Sequence, residues 1–243
     1  MTEKGKPSCT PGDFVGGKIL TEMSYSQLGE TVMSRGLLVL EGVFAAEVES
    51  LRALRQAVHK WGQETEPLPE PAPTENCHCL QAGVSRFQQT PHIYHSYNFN
   101  RISQMSTHLG QHLYAYFKPL CDFQNAITGN KARLEGFEDG HALHPQIIHY
   151  PLGGGFFGRH QHPLAPQRIG LVVALSQRGV DYVSGGTCFD VNGTVVDLES
   201  DHDLGDVALF RFDVPHWVTP SDLKDKFDWN SERGRWTMVL PYY

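Results

Sequence analysis

The stretch GGGFFGRHQHP, residues 153–163, places a glycine-rich turn directly before two histidines that stand two positions apart. Side chains alternate between the two faces of a strand, so His160 and His162 share a face if this segment is extended. Two imidazoles on one face can bind a single metal ion when a third ligand arrives from elsewhere in the fold. A histidine pair alone is weak evidence, because surface histidines at this spacing are common.

His216 supplies the third ligand of the predicted site. It follows the run GDVALF at residues 205–210, which predicts a strand that would carry His216 to the same sheet. Imidazole is a suitable ligand for iron, zinc, copper and nickel. Three protein ligands leave further coordination positions open, as a catalytic metal requires. The pattern therefore predicts a mononuclear metal site of His160, His162 and His216.

The last predicted strand begins with Arg235, Trp236 and Thr237. Arg235 and Thr237 share a face by the same alternation. A guanidinium beside a hydroxyl can bind a carboxylate, because the planar fork reaches both oxygens. The alternative is a surface arginine in an ion pair at the strand edge, and Arg233, which precedes Gly234 in a predicted turn, is a candidate for that role. We expect Arg235 and Thr237 to form an anion-binding position near the metal.

The order of the elements predicts an α+β fold. Helical spacing of apolar residues marks 24–35, 45–61 and 102–123, and an apolar run at 37–40 predicts a strand. The second half predicts strands at 145–150, 169–176, 186–191, 194–198, 206–212 and 235–241. Asn192-Gly193 is a strong hairpin signal. Helices followed by a dense set of strands favour helices packed on a β-sandwich or barrel.

Composition limits the class of protein. With 243 residues, 40% of them hydrophobic and 19% charged, the chain fits one globular domain. A net charge of -7 disfavours nucleic acid as a partner. We expect no membrane span, because no apolar run approaches the roughly 20 residues required. An odd number of cysteines (5) without framework spacing predicts reduced thiols and a cytoplasmic location. The sequence makes no prediction of oligomeric state.

With these motifs in place, residues 145–243 resemble the iron(II)/2-oxoglutarate-dependent oxygenases. That family has a His-x-Asp pair after a glycine-containing turn, a distal histidine after a Gly-Asp strand, and Arg-x-Ser/Thr near the end. The corresponding segments here are residues 160–162, His216 after residues 205–206, and residues 235–237. Gly185-Gly186 is similar to the family's Gly-Gly strand between the two ligand motifs.

The resemblance implies a double-stranded β-helix, also called a jelly roll, with N-terminal helices packed on one sheet. Residues 1–243 would form a single oxygenase domain. It would comprise a flexible lead at 1–18, a mainly helical buttress at 19–143 and a jelly-roll core at 144–243.

The resemblance also implies the chemistry. Iron(II), 2-oxoglutarate and O2 would be the cofactor and cosubstrates. Arg235 and Thr237 would hold the C5 carboxylate of 2-oxoglutarate, and Tyr150 would add a hydrogen bond. The expected reaction is hydroxylation of a small molecule, such as an amino acid or a natural-product intermediate.

His162 departs from the family pattern, because it stands where the family has a carboxylate. It could be a true third ligand, a residue behind a water ligand, or part of an inactivated site, and we expect the first. Halogenases of this family have a small residue there that leaves room for chloride, and an imidazole fills that room. Halogenation is therefore disfavoured.

Two other functions remain open. A cupin-type dioxygenase with three histidines would need no 2-oxoglutarate. Cupins usually place a glutamate soon after His-x-His, however, and residues 163–167 contain no acid. A non-catalytic jelly roll that binds a metal or a ligand is the other. No Gly-x-Ser-x-Gly motif supports a serine nucleophile.

A segment of alternating aromatic and polar residues at 92–100 could contact substrate. It predicts either an entrance to the site or a packed edge strand, and the two are about equally favoured. The residues that would line such an entrance are His92, Tyr94, His95, Tyr97 and Asn98.

Overall fold

The computed structural model describes residues 6–85, 89–135 and 142–242. Within this part of the chain the α-helices are α1 (Tyr25–Arg35), α2 (Val48–Glu64) and α3 (His108–Thr128). None of these helices is long and apolar enough to cross a bilayer. The strands, in chain order, are β1 (Ser8–Val15), β2 (Lys18–Thr21), β3 (Leu37–Glu41), β4 (Asn76–Val84), β5 (Pro91–Phe99), β6 (Arg133–Leu134), β7 (Ala142–Leu143), β8 (Gln146–Pro151), β9 (Phe156–His160), β10 (Ile169–Ala174), β11 (Gly186–Val191), β12 (Thr194–Asp197), β13 (Val207–Arg211), β14 (His216–Thr219) and β15 (Gly234–Val239).

All strands except β6 and β7 belong to one sheet, in the order β12-β11-β14-β9-β5-β8-β15-β10-β13-β3-β1-β2, with β4 also paired to β5. Strand β5 joins the two halves of this sheet. Its residues 95–98 pair with β8, whereas His92 and Ile93 pair with β9. Residues of β8, β10 and β15 face residues of β9, β11 and β14 across a shared cavity. This arrangement is the double-stranded β-helix that was expected.

The helices pack on the larger half of the sheet, on the face away from the cavity. Leu54 of α2 and Phe117 of α3 belong to the same buried cluster as Trp236 and Met238 of β15. Arg235 and Thr237, which alternate with these two residues along the strand, line the cavity instead. The period-two alternation of β15 therefore separates a packing face from a site face.

Local signals explain several element boundaries. The Ser24 side chain accepts a hydrogen bond from the Gln27 amide, and Gln27 accepts one in return from the Ser24 amide, so a capping box begins α1. Gly36 ends α1 in the left-handed conformation at φ 87°. Asn192 and Gly193, at φ 53° and 82°, form the predicted hairpin between β11 and β12.

The structure corrects the expected organisation of the first half. Residues 8–15 of the expected flexible lead form β1, which pairs parallel with β3 and antiparallel with β2. The edge of β3 offers unpaired backbone groups, and these hold a segment that has no apolar pattern of its own. Residues 1–5 of that lead lie outside the described part of the chain. The expected helical buttress at 19–143 also contains β4 and β5, each of nine residues.

Two further boundaries differ from the sequence prediction. The third helix begins at His108 rather than at residue 102, because Thr107 caps it through the Gly110 amide. Residues 102–104 form a short 3-10 turn before it. Strand β5 is an interior strand rather than an edge strand, with β4 on one side and β8 and β9 on the other.

Candidate metal centre

The three predicted histidines converge at one end of the cavity. His160 is the last residue of β9 and is paired in register with His216, the first residue of β14. His162 lies two residues beyond the end of β9. One ligand nitrogen from each ring lies within 4.8 Å of the other two. In the described part of the chain this is the one cluster of three or more histidine, cysteine or acidic side chains with metal-binding spacing.

Backbone carbonyls set the orientation of two of these rings. The Nδ1 atom of His160 lies 2.9 Å from the Gly158 carbonyl oxygen, and that of His216 lies 2.9 Å from the Val214 carbonyl oxygen. A carbonyl can only accept, so each Nδ1 carries the hydrogen and donates it. The Nε2 atom of each ring then keeps its lone pair for a metal, as in most histidine metal sites.

Packing holds the third ring. The imidazole of His162 stacks on Phe212, with ring centroids 4.3 Å apart and an interplanar angle of 12°. The His162 amide also donates to the Phe212 carbonyl oxygen at 3.3 Å. These contacts bring His162 beside the pair although the strand has already ended. The common face predicted for His160 and His162 is therefore achieved by the loop that follows β9.

Burial keeps all three imidazoles neutral. It lowers the pKa of His162 to about 4, with a smaller contribution from the neighbouring His160. Burial likewise lowers the pKa of His160 and of His216. Neutral imidazoles have free lone pairs at pH 7 and suit a divalent first-row metal such as iron(II). The donor set thus fits iron(II), but it contributes no negative charge.

The cavity beside the histidines has a volume of about 210 Å³. The predicted cosubstrate residues Arg235, Thr237 and Tyr150 all line it. Much of the remaining wall is apolar and includes Ile148, Leu171, Val172, Phe189, Phe210 and Val218. An apolar wall with a few convergent polar groups is typical of a small-molecule site.

One nitrogen of the buried Arg235 guanidinium has no hydrogen-bond acceptor among the described residues. The residue is 2% exposed, and its Nε donates to Glu199 Oε1 at 2.7 Å. Its Nη2 is buried with no hydrogen-bond partner among the described residues. Tyr150 stands opposite Arg235 in the β8–β15 register, with its ring centre 5.7 Å from the guanidinium carbon. A buried guanidinium with an unpaired nitrogen requires an acceptor, and a carboxylate fits it.

Glu199 is a site residue that sequence reasoning missed. It lies in the 3-10 turn at Leu198–Ser200, and its carboxylate also accepts from the Thr187 amide at 3.0 Å and from the Tyr182 hydroxyl. Burial acts to raise the pKa of Glu199, but Arg235 and the other partners lower it below its ordinary value. The sequence carried one indirect signal, the glycine pair at 185–186. A Cβ at Gly186 would lie 1.9 Å from Glu199 Cγ.

Of the five residues that could line an entrance, Tyr94 lines the cavity. His95 and Tyr97 lie on the opposite face of β5, where Tyr97 belongs to the core beneath the helices. The Nε2 atom of His95 is 2.7 Å from Nδ1 of His78 there. Of the two alternatives left open for this segment, His95 and Tyr97 therefore follow the packed one and do not line an entrance. Neither His92 nor Asn98 is among the described residues that line the cavity.

Arg233 fits the surface role expected for it. Its side chain is 63% exposed and lies 3.9 Å from the Asp225 carboxylate.

No family model and no curated protein matches this chain. Solved structures do match. A prolyl-4-hydroxylase from Pseudomonas putida superposes with a TM-score of 0.55 at 16% identity, covering 89% of this chain and 96% of that one. A Trichoplax adhaerens prolyl hydroxylase, in complex with a peptide of the hypoxia-inducible factor oxygen degradation domain, gives 0.52 at 13% identity, with 90% of each chain covered. The non-haem α-ketoglutarate-dependent epimerase SnoN from nogalamycin biosynthesis gives 0.52 at 11% identity, covering 88% of this chain and 81% of that one.

The fold is that of the 2-oxoglutarate-dependent oxygenases. In this oxygenase fold the chain places its histidine cluster and Arg235 on one cavity, as the resemblance in sequence implied. At these identities the likeness is one of fold, and chemistry must be argued from the side chains themselves.

Proposed function

We propose that the protein is a non-haem iron(II), 2-oxoglutarate-dependent oxygenase that hydroxylates a small molecule. One observation carries the proposal: three neutral imidazoles and an unpaired buried nitrogen of Arg235 open on the same cavity. His160, His162 and His216 would hold the iron and leave positions for 2-oxoglutarate and O2. Iron(II), when bound with these cosubstrates, supplies an oxidant strong enough to take hydrogen from carbon.

The polar side chains of the cavity bind and orient the cosubstrate. Arg235 and Thr237 share a face of β15 and would donate to its C5 carboxylate. Tyr150 faces Arg235 and keeps its proton, because burial raises the pKa of its hydroxyl to about 12. It is therefore a donor at pH 7. The apolar wall excludes water, which strengthens these charged hydrogen bonds.

A small substrate is favoured by the size and lining of the cavity. Tyr94 and Phe157 meet edge to face at 5.4 Å, and Phe157 packs against His160 at 4.2 Å. These rings offer an aromatic wall beside the proposed iron. We infer an amino acid or a natural-product intermediate as substrate and hydroxylation as the reaction. Five free cysteines support a reducing, cytoplasmic location.

The test is an anaerobic titration of iron(II)-loaded protein with 2-oxoglutarate, followed by visible absorption. Chelation of the cosubstrate should produce a metal-to-ligand charge-transfer band. His162→Ala should weaken iron binding, and His162→Asp should keep both iron and the band if position 162 is a ligand position. Bound iron without a band in the wild type would contradict the proposed cosubstrate.

A cupin-type dioxygenase that needs no 2-oxoglutarate is the second candidate. It is favoured by a ligand cluster of three histidines without a carboxylate and by the existing bond between Arg235 and Glu199. Oxygen consumption without succinate formation would support it. Iron binding with neither activity would support a non-catalytic jelly roll.

A further inference from the structure

The buried charges near the cavity lie at Arg235 and Glu199, not at the histidine cluster. Their side chains are each 2% exposed and pair at 2.7 Å. The three imidazoles would bind a metal through neutral nitrogen atoms and would bring no charge to it. Without metal and cosubstrate, the charges of Arg235 and Glu199 cancel.

Glu199 is held firmly in its place. Its carboxylate accepts from the Thr187 amide, from the Tyr182 hydroxyl and from Arg235. The backbone of Gly186, at φ +142°, passes so close to Glu199 that no Cβ would fit. A carboxylate fixed by three donors and a glycine contact is part of the construction of the site. Its position does not depend on attraction to Arg235 alone.

Glu199 contacts Arg235 on the side away from the cavity. Arg235 lines the cavity, whereas Glu199 is absent from the described residues that line it. The carboxylate takes the Nε hydrogen and leaves Nη2 without a partner. The guanidinium is planar, so a bond at Nε also sets the direction of the Nη groups. Glu199 can therefore orient Arg235 without occupying the position of a bound carboxylate.

We infer that Glu199 is a positioning residue of the cosubstrate site, and that it supplies the buried negative charge that an aspartate at position 162 would place on the metal. The inference rests on the proposed function. Iron(II), Arg235 and Glu199 together carry two positive charges, which balance the two negative charges of 2-oxoglutarate. An aspartate at position 162 without Glu199 would give the same balance. Before 2-oxoglutarate binds, iron(II) and Arg235 together with both carboxylates would carry one positive charge. With neither carboxylate they would carry three.

The experiment compares Glu199→Gln, His162→Asp and the double variant. Glutamine keeps an oxygen that can accept from Arg235 Nε but removes the charge. The dissociation constant of 2-oxoglutarate is measured by anaerobic calorimetry on iron(II)-loaded protein. Asp201→Asn is the matched control, since Asp201 lies on the same turn and its nearest basic partner is the surface Lys6 at 4.0 Å.

Charge balance predicts a definite order of affinities. Glu199→Gln should tighten 2-oxoglutarate binding and His162→Asp should weaken it, each on the order of tenfold for a unit charge at low effective dielectric. The double variant should return to the affinity of the wild type, and Asp201→Asn should not change it. A double variant that binds no better than His162→Asp would overturn the charge assignment.

The positioning role has its own readout. Glu199→Ala removes both the charge and the acceptor for Arg235, so it should bind 2-oxoglutarate more weakly than Glu199→Gln. Equal affinities of these two variants would overturn the positioning role. Iron affinity should not change in either variant, because Glu199 is not a ligand. An unchanged iron affinity shows that the histidine site of the variant has folded.

A wild type that binds iron but not 2-oxoglutarate would overturn the proposed function and this inference together. Wild-type binding without the predicted recovery would overturn this inference alone.

Discussion

Gly186 has no Cβ, and this leaves the space that the Glu199 side chain occupies. Gly186→Ala adds a Cβ only 1.9 Å from Glu199 Cγ, at a backbone φ of +142° that favours glycine. We expect it to lower the free energy of unfolding by about 2–4 kcal/mol, from overpacking and backbone strain together. It should also weaken 2-oxoglutarate binding. Gly193→Ala is the matched control in urea unfolding, because Gly193 also has positive φ but open space around it. Equal effects of the two variants would contradict the clash.

Arg235 differs from a lysine in geometry rather than in charge. Arg235→Lys keeps a cation beside Glu199 but loses the planar fork that faces the cavity. We expect the dissociation constant of 2-oxoglutarate to rise by about tenfold or more, for the loss of one charge-assisted hydrogen bond. Calorimetry on the iron(II)-loaded protein measures this directly. Arg233→Lys is the matched control and should leave the affinity unchanged, since Arg233 is exposed. An unchanged affinity in Arg235→Lys would remove Arg235 from the proposed cosubstrate site.

His216 offers a metal the nitrogen that Val214 does not use. We expect His216→Ala to reduce iron(II) affinity by more than about a hundredfold, because even indirect partners of metal ligands contribute ten- to a hundredfold. Metal content after dialysis, measured by mass spectrometry, is the check. His108→Ala on the exposed side of α3 should bind iron like the wild type. Retention of iron by His216→Ala would exclude His216 as a ligand.

At the scale of single elements, β15 links the core to the site. Trp236 is fully buried, donates from its indole to the Glu232 carbonyl oxygen at 2.8 Å and stacks on His149 at 4.1 Å. These contacts on the helix side fix the position of the strand backbone. They therefore also fix the Cα positions of the neighbouring residues, whose side chains lie on the other face. The direction of Arg235 and Thr237 therefore depends on packing on the opposite face of the sheet.

Helices α1 and α3 meet at a glycine. A Cβ at Gly29 would lie 2.2 Å from the Ile127 carbonyl oxygen, a backbone atom that cannot rotate away. Gly29→Ala should therefore separate the helices and lower the free energy of unfolding by about 2 kcal/mol or more, although alanine favours a helix. Chemical unfolding measures the change. Ser26→Ala on the exposed face of α1 should change stability by no more than about 0.5 kcal/mol. A stabilised Gly29→Ala protein would contradict the close helix contact.

At the scale of the whole molecule, buried histidines make stability depend on pH. Burial lowers the pKa of His149 to about 3, of His144 to about 4 and of His95 to about 2. The same groups titrate near 6.5 in an unfolded chain. Above about pH 6.5 both states are neutral, so these groups add no pH dependence. Between about pH 6.5 and 4 these histidines bind protons in the unfolded chain but stay neutral in the folded protein. Stability should then fall by up to about 1.4 kcal/mol per pH unit for each histidine.

Urea unfolding from pH 7.5 to pH 4.5 measures this loss. His149→Gln removes one titrating group and should make the decline less steep. Stability that stays constant down to pH 5 would contradict the burial of neutral histidines.

Local residue order was enough to predict the elements with strong periodicity. The predicted elements that the structure contains are α1, α2, β3, β8, β10, β11, β12, β13 and β15, with the hairpin at Asn192-Gly193. They follow from apolar spacing and turn residues. Strand β14, which begins at His216, was not predicted. The cluster of three histidines was also predicted, although His162 reaches it through the loop after β9 and its stacking on Phe212 rather than through strand alternation. For the predicted helices and strands, the determining interactions join residues that are close in sequence.

The tertiary structure decided the rest. Strand β1 has no apolar pattern, and only the open edge of β3 makes it a strand. The direction of His95 and Tyr97 depends on which face of β5 the helices cover. Glu199 reaches Arg235 across 36 positions of sequence and through the space left by Gly186. The sequence by itself determined the residues that could bind a metal and an anion. The partners of those residues were decided by the fold, because a buried charge must be paired by whatever donor or acceptor the folded backbone brings within hydrogen-bonding distance.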